Sequence, residues 1–117
     1  MVDIKEFGEY TNWPQRKSLK EEKDLVRMAV ENDEDNTIRK YLKPLVRHWA
    51  EDCKVNQSHI KLTDEEFLEA GFMYLKLGLN KYYERLEEKK VGFKFSTYFE
   101  WFIRQGFHDY FRQKSAE

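Results

Sequence analysis

Apolar residues recur every three or four positions along most of the chain, which is the spacing of amphipathic α-helices. Ser18 and Glu21 have the form of a capping box and predict the start of a first helix, and the short polar residues of 31–33 predict its end. A second helix is predicted from about residue 35 as far as Cys53. Pro44 lies inside that pattern, so we expect the second helix either to kink there or to form two pieces.

The clearest helix start is at Thr63, which forms a second capping box with Glu66. Leu62 and Phe67 add the hydrophobic staple that fixes how the chain enters this helix. Apolar residues then recur at helical spacing as far as Leu86. The sequence therefore predicts one long helix over this span.

Residues 93–112 have the highest density of aromatic side chains, nine in twenty positions. Phe93 and Phe95 are predicted to be extended, and Ser96 is predicted to cap a helix that no proline interrupts. Two apolar stripes at helical spacing follow this helix. The first stripe is Tyr98, Trp101, Phe102 and Gln105, and the second is Phe99, Ile103, Gly106, Phe107 and Tyr110.

The two stripes allow two interpretations. Both belong to the core if the helix is central in a bundle, and Gly106 then allows a close approach between helices. Alternatively, the face of Tyr98, Trp101 and Phe102 is a surface on which nucleobases stack. Such a surface needs cations for the phosphates, and residues 89–117 contain six Lys or Arg against three Asp or Glu. Aromatic residues interleaved with basic ones are typical of proteins that bind single strands.

Composition limits the class of protein. The 117 residues suffice for one domain, and 37% charged side chains with only two prolines are typical of a soluble helical protein. No apolar run reaches the roughly 20 residues that span a bilayer, and no signal-peptide core is present, so we expect a cytoplasmic protein. A net charge of −1 argues against strong non-specific binding to duplex DNA.

The sequence offers little support for catalysis. It contains no glycine-rich phosphate loop and no nucleophile motif, so we do not expect an enzyme. His48, Cys53 and His59 do not follow a common zinc spacing, and neither a metal nor a cofactor is expected. Cys53 is the single cysteine, which excludes an internal disulfide and fits a reducing compartment.

The run Lys94-Phe95-Ser96-Thr97-Tyr98, followed by Trp101 and by Ile103-Arg104-Gln105, resembles a known signature. It is similar to the Lys-Phe-Ser-Thr-Tyr-x-x-Trp-x-Ile-Arg-Gln pattern of region 2 of bacterial RNA polymerase sigma factors. The order of the predicted helices agrees with this resemblance, which covers roughly residues 19–112. The segments that resemble regions 1.2, 2.1, 2.2 and 2.3–2.4 are 18–29, 37–50, 63–82 and 92–112, respectively.

The resemblance implies an all-α fold, a compact helical bundle of about four main helices. We expect this domain to span residues 18–114, between an N-terminal arm (1–17) and a short tail (115–117). The implied partners are the clamp coiled coil in the largest subunit of the RNA polymerase core and promoter DNA, mainly the single-stranded non-template strand. We expect no membrane partner, and a monomer when the protein is free. The implied polymerase-binding residues are Glu65, Glu66, Glu69, Phe72 and Met73.

The resemblance implies that the first stripe contacts the melted minus-ten element of the promoter. Phe95 and Tyr98 correspond to aromatic residues around a flipped-out adenine, and Thr97 lines the same pocket. Trp101 corresponds to the tryptophan that wedges at the upstream edge of the melted region. Phe102 stands where primary sigma factors have a second tryptophan.

The resemblance also implies which residues recognise the first base pair of the element. Gln105 corresponds to one such residue, and His108 lies at the position of the second. An amide can pair bidentately with an adenine edge in the major groove. The complete implied DNA-binding set is Phe93, Lys94, Phe95, Thr97, Tyr98, Trp101, Phe102, Arg104, Gln105 and His108.

Three departures from the family pattern change what we expect. Phe102 is smaller than tryptophan, which weakens the wedge, and His108 shifts the preference at the first base pair. Glu69 and Ala70 replace the usual Gln-Glu pair, which predicts weaker clamp binding or a different polymerase. The chain stops just after region 2.4, so we expect no region 3 and no region 4.

Two functions are compatible with these observations. The first is a promoter-recognition module that docks on RNA polymerase and captures melted minus-ten DNA. The second is a regulator that keeps the sigma scaffold to occupy the polymerase clamp, with its aromatic face buried in the bundle or against a partner. The two functions are distinguished by whether Tyr98 and Trp101 are exposed and sensitive to single-stranded DNA.

Overall fold

The computed structural model describes residues 13–57, 61–88 and 91–115, and these residues form five α-helices with no strand among them. In chain order the helices are α1 (Leu19–Glu31), α2 (Asn36–Asn56), α3 (Asp64–Gly71), α4 (Leu75–Glu88) and α5 (Phe95–Ser115). Helix α5 packs against each of the other four. The four longer helices and the eight-residue α3 confirm the predicted all-α bundle.

The core is built around the second aromatic stripe of α5. Phe99, Ile103 and Phe107 are buried there, against apolar residues from all the other helices. The core also includes Trp13 from the predicted N-terminal arm, whose first twelve residues lie outside the described part of the chain. The indole of Trp13 stacks on the Tyr41 ring with 4.8 Å between centroids.

Both predicted capping boxes are confirmed. Ser18 Oγ accepts a hydrogen bond from the Glu21 backbone, and the Glu21 side chain accepts one from the backbone of Ser18. Thr63 and Glu66 make the same reciprocal pair at the start of α3. These boxes satisfy backbone N–H groups that have no partner inside their helices.

The prediction of one long helix after Thr63 is wrong, because residues 72–74 form a turn between α3 and α4. The Met73 N–H donates to the carbonyl of Ala70, and the Leu75 N–H donates to that of Phe72, so the chain makes tighter i→i−3 bonds here. The break allows α3 to pack on α2 while α4 packs on α1. A straight helix could not bury its apolar face against both.

Helix α2 passes through Pro44 as one element, which excludes the two-piece alternative. Proline removes one backbone hydrogen bond from the helix. Leu42, Leu45 and Val46 are fully buried around it, so core packing on both sides of Pro44 stabilises the helical path. None of the described helices is both long and apolar enough to cross a lipid bilayer.

Candidate nucleic-acid interface

The N-terminus of α5 is capped by a carboxylate from α1. Ser96 was predicted to be the N-cap, but α5 begins one residue earlier, and Ser96 lies in its first turn. The Ser96 N–H donates to Glu22 Oε1 and the Ser96 hydroxyl donates to Glu22 Oε2, both at 2.7 Å. The Tyr41 hydroxyl donates to the same Oε2 at 2.5 Å. Glu22 is buried, so this carboxylate meets the positive end of the helix dipole away from water.

The segment before α1 is fastened to the same helix end. The Arg16 guanidinium donates to the Thr97 hydroxyl at 2.8 Å and to the Ser96 hydroxyl at 3.2 Å. The Lys94 ammonium donates to the Lys17 carbonyl at 2.8 Å. Lys94 and Thr97, two of the predicted DNA-binding residues, therefore already contact the chain that precedes α1.

The predicted adenine pocket is an aromatic cluster centred on Tyr82 of α4. The buried Tyr82 ring lies 5.3–5.9 Å from the rings of Phe93, Phe95 and Tyr98. Burial, followed by the charge of Glu22, raises the pKa of Tyr82 to about 12. Phe95 is 1% exposed and belongs to the core, whereas Phe93 is 37% exposed. Tyr98 is half-buried and connects the two.

Trp101 is the most exposed of the Phe, Tyr and Trp residues in the described part of the chain, with 56% of its surface accessible. Its ring stands perpendicular to that of Phe102, 5.2 Å away between centroids. Phe102 is itself buried, against Tyr98 on one side and Gly78 of α4 on another. The first stripe is thus divided: Trp101 faces solvent, and Phe102 supports it from below.

The two residues predicted to recognise the first base pair share one carboxylate. The Gln105 amide nitrogen lies 3.1 Å from Asp109 Oδ1, and His108 Nδ1 lies 3.3 Å from the same oxygen. The Tyr74 hydroxyl, from the turn before α4, donates to Asp109 Oδ2. These hydrogen bonds, with that of Tyr74 the largest, hold the pKa of Asp109 below its ordinary value.

Two arginines lie close to aromatic rings in this region, but over different ones. The Arg85 guanidinium lies 5.8 Å from the centre of the Tyr98 ring. The Arg104 guanidinium instead lies over Trp49 of α2, at 5.5 Å, beside a groove of about 680 Å³ between α2 and α5. Arg104 therefore does not share the position of Trp101. Lys89 and Lys90, which the sequence also predicts to contribute charge, are outside the described residues.

The predicted polymerase-binding residues lie on α3 and in the turn that follows it. Glu65 and Glu69 are exposed, whereas Met73 is half-buried. Phe72 stacks on Phe99, and the Arg39 guanidinium of α2 lies 5.4 Å from its ring centre. An open groove of about 510 Å³ follows this edge, and its residues include the cations Arg39, Lys40 and Lys43.

Glu66 has a pKa below its ordinary value of 4.5, mainly because the Thr63 backbone N–H donates to its carboxylate. Its charge therefore stabilises the fold fully above about pH 4.5, and this contribution is lost as the pH falls through the lower folded-state pKa. Glu66→Gln keeps a capping acceptor but does not titrate. We expect the stability of this variant to decline less steeply than that of the wild type as the pH falls, as measured by urea unfolding between about pH 3 and pH 7. Parallel curves for the variant and the wild type would contradict this assignment.

Within the described residues, no group of three His, Cys, Asp or Glu side chains is arranged to hold a metal ion. His59 lies outside them. Cys53 lines the larger groove, and burial raises the pKa of its thiol.

Comparison with protein-family models, curated proteins and solved structures finds no match. The functional assignment therefore depends on the residues and geometry of the chain itself.

Sequence reasoning did not identify three of the residues that organise this surface. Asp109 follows Gln105 by four positions, a spacing that places both on one helix face and could have indicated their contact. Tyr74 carried no such signal, because a turn brings it to α5. Glu22 reaches Ser96 across 74 positions, so no local pattern contains the contact.

Proposed function

We propose that this chain is a sigma-like transcription initiation module. It docks on the RNA polymerase core and holds the melted non-template strand of a minus-ten-type promoter element. The observation that carries the proposal is the exposure of Trp101, at the wedge position of the signature, on a buried support formed by Phe102. A tryptophan kept only for packing would be covered.

The arrangement suits the capture of an unpaired base. Stacking on an aromatic side chain contributes roughly 1–3 kcal/mol per base, which offsets the few kcal/mol needed to unstack it. Helix α5 holds Trp101 before DNA arrives, so little conformational entropy is lost on binding. Tyr98 offers a second, half-buried ring with Arg85 beside it.

The proposed function also requires docking on RNA polymerase. The net charge of −1 provides weak attraction for phosphates, so the polymerase must supply much of the DNA affinity. The exposed carboxylates Glu65 and Glu69 form the docking face on α3, together with Phe72. This function belongs in the cytoplasm, where a bacterial polymerase works.

A second candidate is a clamp-binding regulator without DNA recognition. The burial of Phe95 and the contacts of Lys94 and Thr97 with residues 16–17 favour it, because three predicted DNA ligands are occupied inside the protein. The exposure of Trp101 favours the first candidate, since it leaves the ring accessible for stacking on a base.

Fluorescence anisotropy distinguishes the two. A labelled single strand carrying a minus-ten-like hexamer, and a scrambled strand, are titrated with the protein in the presence of the polymerase core. We expect tighter binding of the hexamer, and we expect Trp101→Ala to weaken it by about 1–3 kcal/mol, or roughly 5- to 150-fold.

The control is Val55→Ala, which truncates an apolar side chain that is 80% exposed on α2. Thermal unfolding verifies that both variants remain folded. Equal, weak binding of the two strands, with polymerase still bound, would support the regulator instead.

A further inference from the structure

Asp109 joins α5 to the turn before α4, and its carboxylate contacts three side chains at the edge of the candidate DNA-binding surface. Its Oδ1 contacts the Gln105 amide nitrogen and His108 Nδ1, and its Oδ2 accepts from the Tyr74 hydroxyl. The side chain is only 22% exposed, whereas that of His108 is 65% exposed. The carboxylate is thus partly covered, and the imidazole faces outward.

The chemistry of the carboxylate determines which atoms its neighbours present. An ionised carboxylate only accepts hydrogen bonds, so each group that contacts it must donate. Asp109 is ionised at neutral pH, and the Tyr74 hydrogen bond with its two companions lowers its pKa further. His108 must therefore carry its proton on Nδ1, and Gln105 must turn its NH₂ group toward Asp109.

These proton positions determine which atoms of His108 and Gln105 face away from Asp109. A neutral imidazole with a proton on Nδ1 has a bare Nε2, which is an acceptor. An amide whose nitrogen faces Asp109 has its Oε1 on the other side, also an acceptor. Without Asp109 the outward atom of each group would not be fixed, because a histidine can change tautomer and a glutamine amide can rotate by half a turn.

We propose that Asp109 is a positioning residue for base recognition, which makes Gln105 Oε1 and His108 Nε2 a pair of acceptors directed at an exocyclic amine of the first base pair. This inference rests on the proposed function and adds the class of group that is recognised. In the major groove, adenine N6 and cytosine N4 carry such amines, whereas guanine and thymine present acceptors at the corresponding positions. The pair of acceptors therefore distinguishes base pairs by the position of the amine in the major groove.

The first test needs no DNA. Two-bond ¹H–¹⁵N spectra of the full chain, recorded at about pH 8, show which nitrogen of each histidine is protonated. We expect His108 to hold its proton on Nδ1, and Asp109→Asn to shift it largely to Nε2, the form that predominates in a free imidazole. A wild-type His108 with its proton on Nε2 would overturn the inference whatever the DNA result.

The second test measures base preference with the polymerase core present. A forked probe keeps the first base pair of the hexamer double-stranded and the rest of the non-template strand single, and all four base pairs are compared at that position. We expect one pair to be preferred by roughly tenfold, and the preference to vanish when its exocyclic amine is deleted, with purine for adenine or pyrimidin-2-one for cytosine. Asp109→Asn should reduce the preference to about twofold or less while leaving the single-stranded hexamer bound.

Glu84→Gln makes the same chemical change at an exposed carboxylate on α4 and should keep the wild-type preference. A preference that survives Asp109→Asn, in a protein that still binds the hexamer, would overturn the positioning role alone. A wild-type protein that does not distinguish the hexamer from a scrambled strand would overturn the proposed function, and the recognition of an amine with it.

Discussion

Glu22→Ala is expected to lower the free energy of unfolding by about 3–5 kcal/mol. The substitution leaves three donors without an acceptor: the buried N–H and hydroxyl of Ser96, and the half-buried hydroxyl of Tyr41. Each buried donor that loses its partner costs about 1–3 kcal/mol. The favourable interaction of the carboxylate with the α5 dipole is lost as well.

Urea denaturation of the purified variants measures this effect. Glu84→Ala removes an exposed carboxylate on α4 and should change stability by less than about 0.5 kcal/mol. Glu22→Gln retains one acceptor oxygen, so its loss should lie between those of wild type and Glu22→Ala. A loss below about 1 kcal/mol for Glu22→Ala would show that water satisfies the orphaned donors.

Gly106→Ala is expected to destabilise the protein by about 2–4 kcal/mol, although alanine is the better helix former. A Cβ at this position would lie 2.1 Å from the carbonyl oxygen of Ala70. That oxygen belongs to the α3 backbone and cannot rotate away, so α3 and α5 would have to separate. The helical preference for alanine returns only about 1 kcal/mol. The geometry confirms the interpretation of Gly106 as a site of close helix approach.

Gly92→Ala is the matched control, because a Cβ there would meet nothing within 4 Å. It should retain wild-type stability in the same thermal and urea unfolding experiments. If Gly106→Ala were as stable as Gly92→Ala, the contact between α5 and the carbonyl of Ala70 would be looser than the structure describes.

The elements that were predictable are those whose signals are local. The capping boxes that begin at Ser18 and Thr63 each lie within four residues, and both helices start where the boxes indicate. The turn at residues 72–74 was not predictable in this way, because apolar spacing continues through it. Its cause is tertiary, since α3 and α4 bury their faces against different helices.

The candidate site also combines features with a local signal and features that depend on tertiary contacts. Helical spacing alone could not show that Trp101 is exposed, because both stripes of α5 contain large aromatic side chains. Packing against Gly78 and Tyr98 determines that Phe102 is the one buried. Ser96 is of a residue type that is favoured at N-caps, but a buried carboxylate distant in sequence caps the helix instead. Local preference thus indicated a cap near Ser96 without indicating which group supplies it.

The contacts of Arg16 and Glu22 with the start of α5 also bear on how the domain assembles during synthesis. They join positions 81 and 74 residues apart, and closing a long loop costs more entropy than forming a helix or docking neighbouring helices. A ribosome must release Thr97 before Arg16 can find its partner. Helices α1 to α4 therefore emerge before the Tyr82 ring can pack against Phe95 and Tyr98, and the nascent chain depends on α5 to close its core.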